Sequence, residues 1–401
     1  MSKSESSILH EVEIGGKKQA KKSPSSSTIK TIIVSSAHGM HDTYSGFIAP
    51  LLPFLIERLS LLKAEAGLFI LFFQGASILQ PIIGHIGDRT NLRKFALVAP
   101  AVTGIFLSLL GTAPSFSVAL LYCLIAGISS AALHATLPAL VSSFSGENVG
   151  KGMGIWMVGG ELGVMLGPIL ITAVVTTFSM EATPWLMIGG FVVSVLLSFL
   201  LKDLPFHNSV TNQQIKIPVK ELAAILLPIT GITVTRSILR TCSVLYLPVF
   251  LTDNGSSIWF AGISLSIAQG IGILGTISGG LLNDRLGYKI TIILSLIVSA
   301  FAMIFFSRSQ GITQVIILAI LSISSLMILP VGMAIVQKSF PKNRSLANGL
   351  YLALLFGINA LAGVVTGAMY DRIGVSRHST GAELSHYPGC RLFYCCQEKR
   401  K

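Results

Sequence analysis

Stretches of about twenty mostly apolar residues recur along this chain from position 31 to position 369, and that recurrence limits the fold more than any other feature. An α-helix rises ~1.5 Å per residue, so about that many apolar residues carry it across the hydrocarbon core of a bilayer. The runs fall at 31–56, 65–87, 95–112, 117–143, 152–177, 184–201, 222–250, 257–280, 290–306, 313–337 and 347–369, eleven in all. Hydrophobic residues make up 52% of the 401 and charged residues 11%, too little charge to cover soluble domains of this length. Mean hydropathy is +0.74. The alternating ten-residue pattern of transmembrane strands is not seen. The chain therefore reads as an all-α polytopic membrane protein.

The net charge of +12 does not point to nucleic acid, because its cations lie between the apolar runs and not in one patch. Eighteen Lys and Arg fall in residues 1–30 and in the segments 88–94, 145–151, 202–220, 284–289 and 338–344, against Arg58, Lys63 and Arg308 on the other side. Cationic loops stay cytoplasmic, so the amino terminus is expected inside a cytoplasmic membrane. Residues 1–30 have no apolar core after a charged start, and read as a disordered cytoplasmic tail and not a cleaved signal.

The chain also repeats itself at an offset of 196 residues. Gly84-x3-Asp88-Arg89 returns as Gly280-x3-Asp284-Arg285, Ser143-Phe144 as Ser339-Phe340, and Gly167 as Gly363. That predicts an amino-terminal six-helix half at 31–201, a cytoplasmic linker at 202–220 and a carboxy-terminal half at 221–374, with a cavity between them.

These residues carry a resemblance. The segment Gly84-His-Ile-Gly-Asp88-Arg89-Thr-Asn-Leu-Arg93-Lys94 resembles the major facilitator superfamily signature between helices two and three, and Gly280 to Lys289 resembles its counterpart between helices eight and nine. Gly159-Gly160-Glu161-Leu-Gly163-Val-Met-Leu-Gly167-Pro168 is similar to the glycine-rich antiporter motif of helix five. His38-x-x-His41-Asp42, Gln74 and Gln80-Pro81 are similar to the fosmidomycin-resistance branch. The chain departs from that branch at Leu133-His134-Ala135-Thr136, where His-Pro-Glu is usual, and at Glu161, where Asn is usual. The resemblance implies a major-facilitator-type fold of two pseudo-symmetric halves and a transporter working by alternating access.

Physical roles follow for the motifs. In 84–94 a small residue permits close helix approach, while Asp88 can pair with an Arg or a helix terminus and latch the cytoplasmic side. Gly84, Asp88, Arg89, Arg93, Gly280, Asp284 and Arg285 are thus gating candidates, unless the cations merely set topology. Gly159, Gly163 and Gly167 form a bare ribbon on one helix face. They are expected either to pack locally or to meet the other half and seal it, with Pro168 as a bend or hinge.

Ionisable groups inside membrane spans are costly and default to functional roles. Here they are His38, His41, Asp42, His134, Glu161, Arg236 and Arg240. Two acids against two arginines suggest pairing across the cavity. A change in hydration or in a neighbouring charge moves a carboxylate's proton affinity, so Asp42 and Glu161, with His38 and His41, are the proton-coupling candidates. Arg236 and Arg240 share a helix face and suit an anionic solute, because a guanidinium grips carboxylate or phosphonate in bidentate fashion. His134, Tyr44, Gln74 and Gln269 are further cavity-lining candidates. A permanent salt bridge between helices one and seven fits the same charges. His38-x2-His41 has neither a thiol nor a third ligand in its pattern and is not read as a metal site.

Residues 375–401 break the pattern. No twelfth apolar span follows Gly374, and Cys390, Cys395 and Cys396 crowd the last twelve residues. A frameshift or truncation replacing helix twelve is the expectation. No nucleotide loop, nucleophile motif or cofactor fingerprint is present, so no enzyme and no cofactor are expected. The reading is a monomeric, proton-coupled exporter of a small organic solute, anionic or drug-like, set in membrane lipid. An importer or uniporter of an organic anion, and a non-transporting sensor on the same scaffold, stand as alternatives.

Overall fold

The computed structural model describes residues 24–83, 93–145, 149–201, 219–339 and 344–379. All regular structure among them is helical: α1 (Pro24–Ser45), α2 (Ile48–Leu59), α3 (Lys63–Gly75), α4 (Arg93–Leu109), α5 (Phe116–Ser145), α6 (Val149–Thr177), α7 (Met187–Leu200), α8 (Val219–Arg240), α9 (Leu247–Asp253), α10 (Ile258–Phe306), α11 (Gly311–Leu326), α12 (Ile328–Ser339) and α13 (Arg344–Ser379). Short 3-10 turns extend α3 and α4 and precede α7, and a π-turn, Thr241–Leu245, joins α8 to α9.

Eight of the described helical stretches are long and apolar enough to cross a membrane. Three differences reconcile them with eleven apolar runs. The first run is broken between α1, long enough at 22 residues but too polar, and α2, only 12 residues long, so neither counts among the eight. The third is a shorter apolar helix, Leu97–Thr112. The 49-residue α10 holds two spans, because Gly287, at φ 77°, breaks the helix. An unbroken helix of that length would be about 70 Å long, more than twice a bilayer core. The chain is a multi-pass membrane protein.

Small residues set the closest helix contacts, as expected where lipid is as apolar as the side chains. A Cβ on Gly67 of α3 would overlap the backbone of Gly363 and Val364 on α13. Gly275 and Gly279 of α10 sit likewise against Ile323 and Met327 of the α11–α12 span. The glycines of α6 seat on α1: Cβ atoms at Gly159, Gly163 and Gly167 would strike the carbonyl oxygens of Ser35, Gly39 and Thr43. That ribbon therefore packs within the first six spans. It does not face the opposite half, which α6 meets instead through Met165 against Gly270 and Thr172 against Gly262. Pro168 lies inside α6 and touches Gly46, in the break between α1 and α2.

The apolar core is arranged unevenly. Its largest cluster takes in both halves, joining Leu51, Leu52 and Phe69 to Tyr246, Leu247, Phe250 and Leu265 on the side where α3 begins. Toward the other side one cluster, with Val34, Leu133 and Trp156, belongs to the first spans. Another, with Ile229, Val336 and Tyr351, belongs to the last. Exposed side chains such as Phe191, Phe199, Leu227 and Ile312 form the outer apolar surface that lipid covers.

Candidate functional site

Ionisable side chains converge within the first spans. His38 and Asp42 lie one turn apart on α1, and α5 brings His134 to them from 96 positions away. His38 Nε2 is 3.1 Å from Asp42 Oδ2 and 3.3 Å from His134 Nε2. His41 Nε2 and His134 Nε2 are each 3.9 Å from Asp42 Oδ1. The other ring nitrogens of His38 and His134 are held by the backbone: Nδ1 of His38 donates to the Trp156 carbonyl (2.9 Å) and Nδ1 of His134 to the Ser130 carbonyl (2.9 Å). His41 Nε2 meets the Ser130 hydroxyl at 3.0 Å. The Trp156 indole stacks on His38, with ring centres 4.0 Å apart and planes 7° apart. Gly160 leaves the needed room, since a Cβ there would press on the His38 ring and come within 2.8 Å of Asp42 Oδ2.

The second group lies in the later spans. Arg236 of α8 is 3% exposed. Its Nε donates to the Ser325 carbonyl (3.2 Å), while its Nη1 has no hydrogen-bond partner among the described residues. Arg240 donates to the Gln269 side chain at 3.5 Å. Glu161, on the partly buried face of α6, forms no ion pair among the described residues. One turn from Arg240, Ser237 donates to Asn359 of α13 (2.5 Å). The His134 ring meets Phe356 of α13 edge-on at 6.3 Å.

Several expectations need correcting. Asp42 is partnered by histidines and not by Arg236, so the charges do not pair across the interface. Tyr44 lines no cavity: it is fully buried, donating to the Leu186 carbonyl (2.6 Å) and accepting from the Gly190 N–H (2.6 Å). Gln269 is buried and engaged with Arg240, whereas Gln74 is half-buried with its Oε1 unpaired among the described residues. Gly84, Asp88 and Arg89 lie outside the described residues, as does the side chain of Arg93, at the start of α4. Gly280 makes no close approach, since a Cβ there would meet nothing within 4 Å. Asp284 and Arg285 are exposed and form no ion pair among the described residues. Residues 380–401, with their cysteines, also lie outside the described residues.

A third copy of the same pattern, Gly367-x3-Asp371-Arg372, does make the contacts expected of the first two. A Cβ on Gly367 would strike the Lys63 carbonyl and the Tyr246 hydroxyl. The Asp371 carboxylate accepts from the backbone N–H groups of Lys63 (2.9 Å) and Ala64 (2.8 Å), the first residues of α3. Beside it, Lys63 pairs with Asp253 at 2.8 Å, Tyr370 donates to Asp253 at 2.8 Å, and Tyr246 donates to the Lys63 carbonyl at 2.7 Å. This network ties the first spans to the last at the end where α3 begins. The sequence carried one signal for it, the third Gly-x3-Asp-Arg. It carried none for Trp156 or Asn359.

Comparison with known proteins agrees with this architecture. A family model described as Major Facilitator Superfamily matches residues 34–280 and 229–377. The "Fosmidomycin resistance protein" of Escherichia coli (strain K12) is 25% identical over 354 residues, covering 85% of this chain and 86% of that one. The "Uncharacterized MFS-type transporter YfnC" of Bacillus subtilis (strain 168) is 24% identical over 360 residues, covering 86% and 87%. Among solved structures, a bacterial homolog to the human lysosomal transporter Spinster, inward-facing and occupied, superposes with a TM-score of 0.73 at 16% identity, covering 88% of this chain and 84% of that one. The chain belongs to the Major Facilitator Superfamily of membrane transporters.

Proposed function

We propose that this chain exports a small organic solute bearing an anionic group, coupled to protons moving the other way. The observation that carries the reading is Arg236, a buried cation with one guanidinium nitrogen unpaired among the described residues, set in the opposite half from the His38–Asp42–His134 cluster. A buried, unsatisfied charged donor is costly unless a ligand pairs with it. The His–Asp cluster supplies ring nitrogens and carboxylate oxygens close enough to hold and pass a proton.

In this reading the two halves rock about that site, and each conformer favours a different ligand. Residues 31–201 and 221–374 are the moving halves, and 202–220 is their linker. The core shared on the side where α3 begins, with separate cores on the other, supports a conformer open toward the amino-terminal side. The cation distribution supports placing that side in the cytoplasm. Export is favoured by the relative named for resistance and by the antiporter-like run of α6.

The test is flux. Full-length protein reconstituted in proteoliposomes with an imposed pH gradient should drive uptake or loss of at least one carboxylate or phosphonate solute. Asp42→Asn should leave exchange of that solute intact while abolishing its response to the gradient. No gradient-dependent flux across a broad set of organic anions contradicts the reading.

A further inference from the structure

The contact between His38 and His134 has a feature that hydrogen bonding within the protein does not satisfy. Carbonyl oxygens only accept, so the carbonyls of Trp156 and Ser130 fix the proton of each neutral imidazole on Nδ1. Each Nε2 is then left with its lone pair. Yet the two Nε2 atoms face each other at 3.3 Å, with Asp42 Oδ2 3.1 Å from the first and Asp42 Oδ1 3.9 Å from the second. Three acceptors thus converge with no donor between them. Like lone pairs repel at this range unless a positive centre lies among them, either a proton or a metal cation.

Two of the three spacings, 3.1 Å and 3.3 Å, suit a cation of zinc's size. A tetrahedral zinc ion holds nitrogen and oxygen ligands at about 2.0–2.2 Å, which places neighbouring ligand atoms about 3.3 Å apart. The three ligand atoms lie within 4.8 Å of one another. The outer hydrogen bonds are also those a metal site uses: each imidazole is oriented by an Nδ1–H donated to a carbonyl, leaving Nε2 for the ion. Trp156 stacked on His38 and the bare position at Gly160 further fix the ring. Asp42 and His134 are 13% and 18% exposed at the side chain, which leaves a fourth position for water or solute.

We infer that His38, Asp42 and His134 form a binding site for one divalent transition-metal cation of the zinc class. The sequence pattern hid it because the third ligand comes from another helix. Imidazole and carboxylate donors select zinc, cobalt or copper over magnesium or calcium, which take all-oxygen shells. The site shares residues with the proposed proton path but rests on its geometry alone. Bound metal requires neutral imidazoles, so protons and metal compete for the same lone pairs.

The experiment uses full-length, detergent-purified protein in which Cys390, Cys395 and Cys396 are changed to Ser, so that tail thiols contribute no ligand. Cobalt(II) chloride is titrated into metal-free protein while visible absorption is recorded, and zinc chloride is then added in competition. The site predicts one equivalent of cobalt per chain, the intense visible bands of tetrahedral coordination, and their loss on adding zinc. His134→Ala should weaken binding more than tenfold. Asp42→Asn, nearly isosteric, should also weaken it more than tenfold and serves if the first variant does not fold. Absence of a saturable one-to-one site, weak octahedral-type bands only, or unchanged cobalt affinity in the folded variants overturns the inference. Failure of cobalt binding leaves proton-driven flux untouched, since a shared proton satisfies the same atoms. Failure of flux leaves the metal site standing.

Discussion

The carboxylate of Asp371, near the end of α13, caps the amino end of α3 at Lys63, accepting its backbone N–H at 2.9 Å. The neighbouring N–H of Ala64 is taken by the other carboxylate oxygen at 2.8 Å. A helix start presents unpaired N–H groups and a partial positive charge, so a carboxylate there is held by both. Here acid and helix belong to different halves, so the cap ties the two together.

Asp371→Ala should therefore release that side. Losing a charge at a helix start and its hydrogen bonds is worth roughly 1–3 kcal/mol, a shift of about 5- to 150-fold between conformers. A cysteine replacing the buried Val249 of α9 reports the change. Its labelling by a membrane-impermeant maleimide should accelerate at least fivefold in the Asp371→Ala background. An unchanged rate removes the latch from the account.

The glycine contacts predict opposite outcomes at two positions. Gly163→Ala forces a methyl group onto the Gly39 carbonyl and should destabilise by about 1–3 kcal/mol, the usual cost of overpacking. Gly280→Ala adds a methyl into open space and should be neutral or stabilising by up to about 1 kcal/mol. Thermal unfolding of the two variants in one detergent compares them directly.

Tyr44→Phe separates structure from binding. The substitution strips partners from the Leu186 carbonyl and the Gly190 N–H, and should cost about 1–3 kcal/mol of stability. Solute affinity should stay within about twofold of the parent protein, because the hydroxyl is committed to α7 and its preceding turn. A selective loss of affinity without loss of stability would restore Tyr44 to the binding site.

Arg236→Lys tests the anion anchor. An ammonium keeps the charge but not the planar fork, and a charged hydrogen bond is worth about 1.5–3 kcal/mol. The apparent KM for an anionic solute should rise about 10- to 150-fold, with a smaller change for an uncharged analogue. Equal effects on both solutes would mean that Arg236 supports the fold through Ser325 alone.

Sequence periodicity exposed the helices, since spans of fixed length are forced by the bilayer. It also exposed the His38–Asp42 pair, because i and i+4 share a helix face whatever surrounds it. Partners across the fold were not legible. His134 is one turn beyond Ser130 on α5, a polar step in an apolar helix, but nothing in the chain states that this face meets α1. A bare glycine face signals close packing without naming the helix that fills it, and here that helix was α1. Charge balance suggested that acids would meet arginines. The imidazoles, two on the same helix and one on α5, reached Asp42 first. Asp88 lies outside the described residues and Asp284 forms no ion pair among them, while Gly367-x3-Asp371-Arg372 shows the pattern without naming Lys63 as the partner of its acid.

The central claim is that one site, set between two halves, opens to alternate sides. Gln74 of α3, half-buried with its side-chain oxygen unpaired among the described residues, gives the direct reading when replaced by cysteine in a chain whose own cysteines are changed to serine. In oriented membrane vesicles, impermeant maleimide should reach it from the amino-terminal side in the otherwise unaltered chain and from the opposite side once Asp371→Ala is added. Labelling from the same single side in both proteins, or from neither side in either, contradicts alternating access through this site.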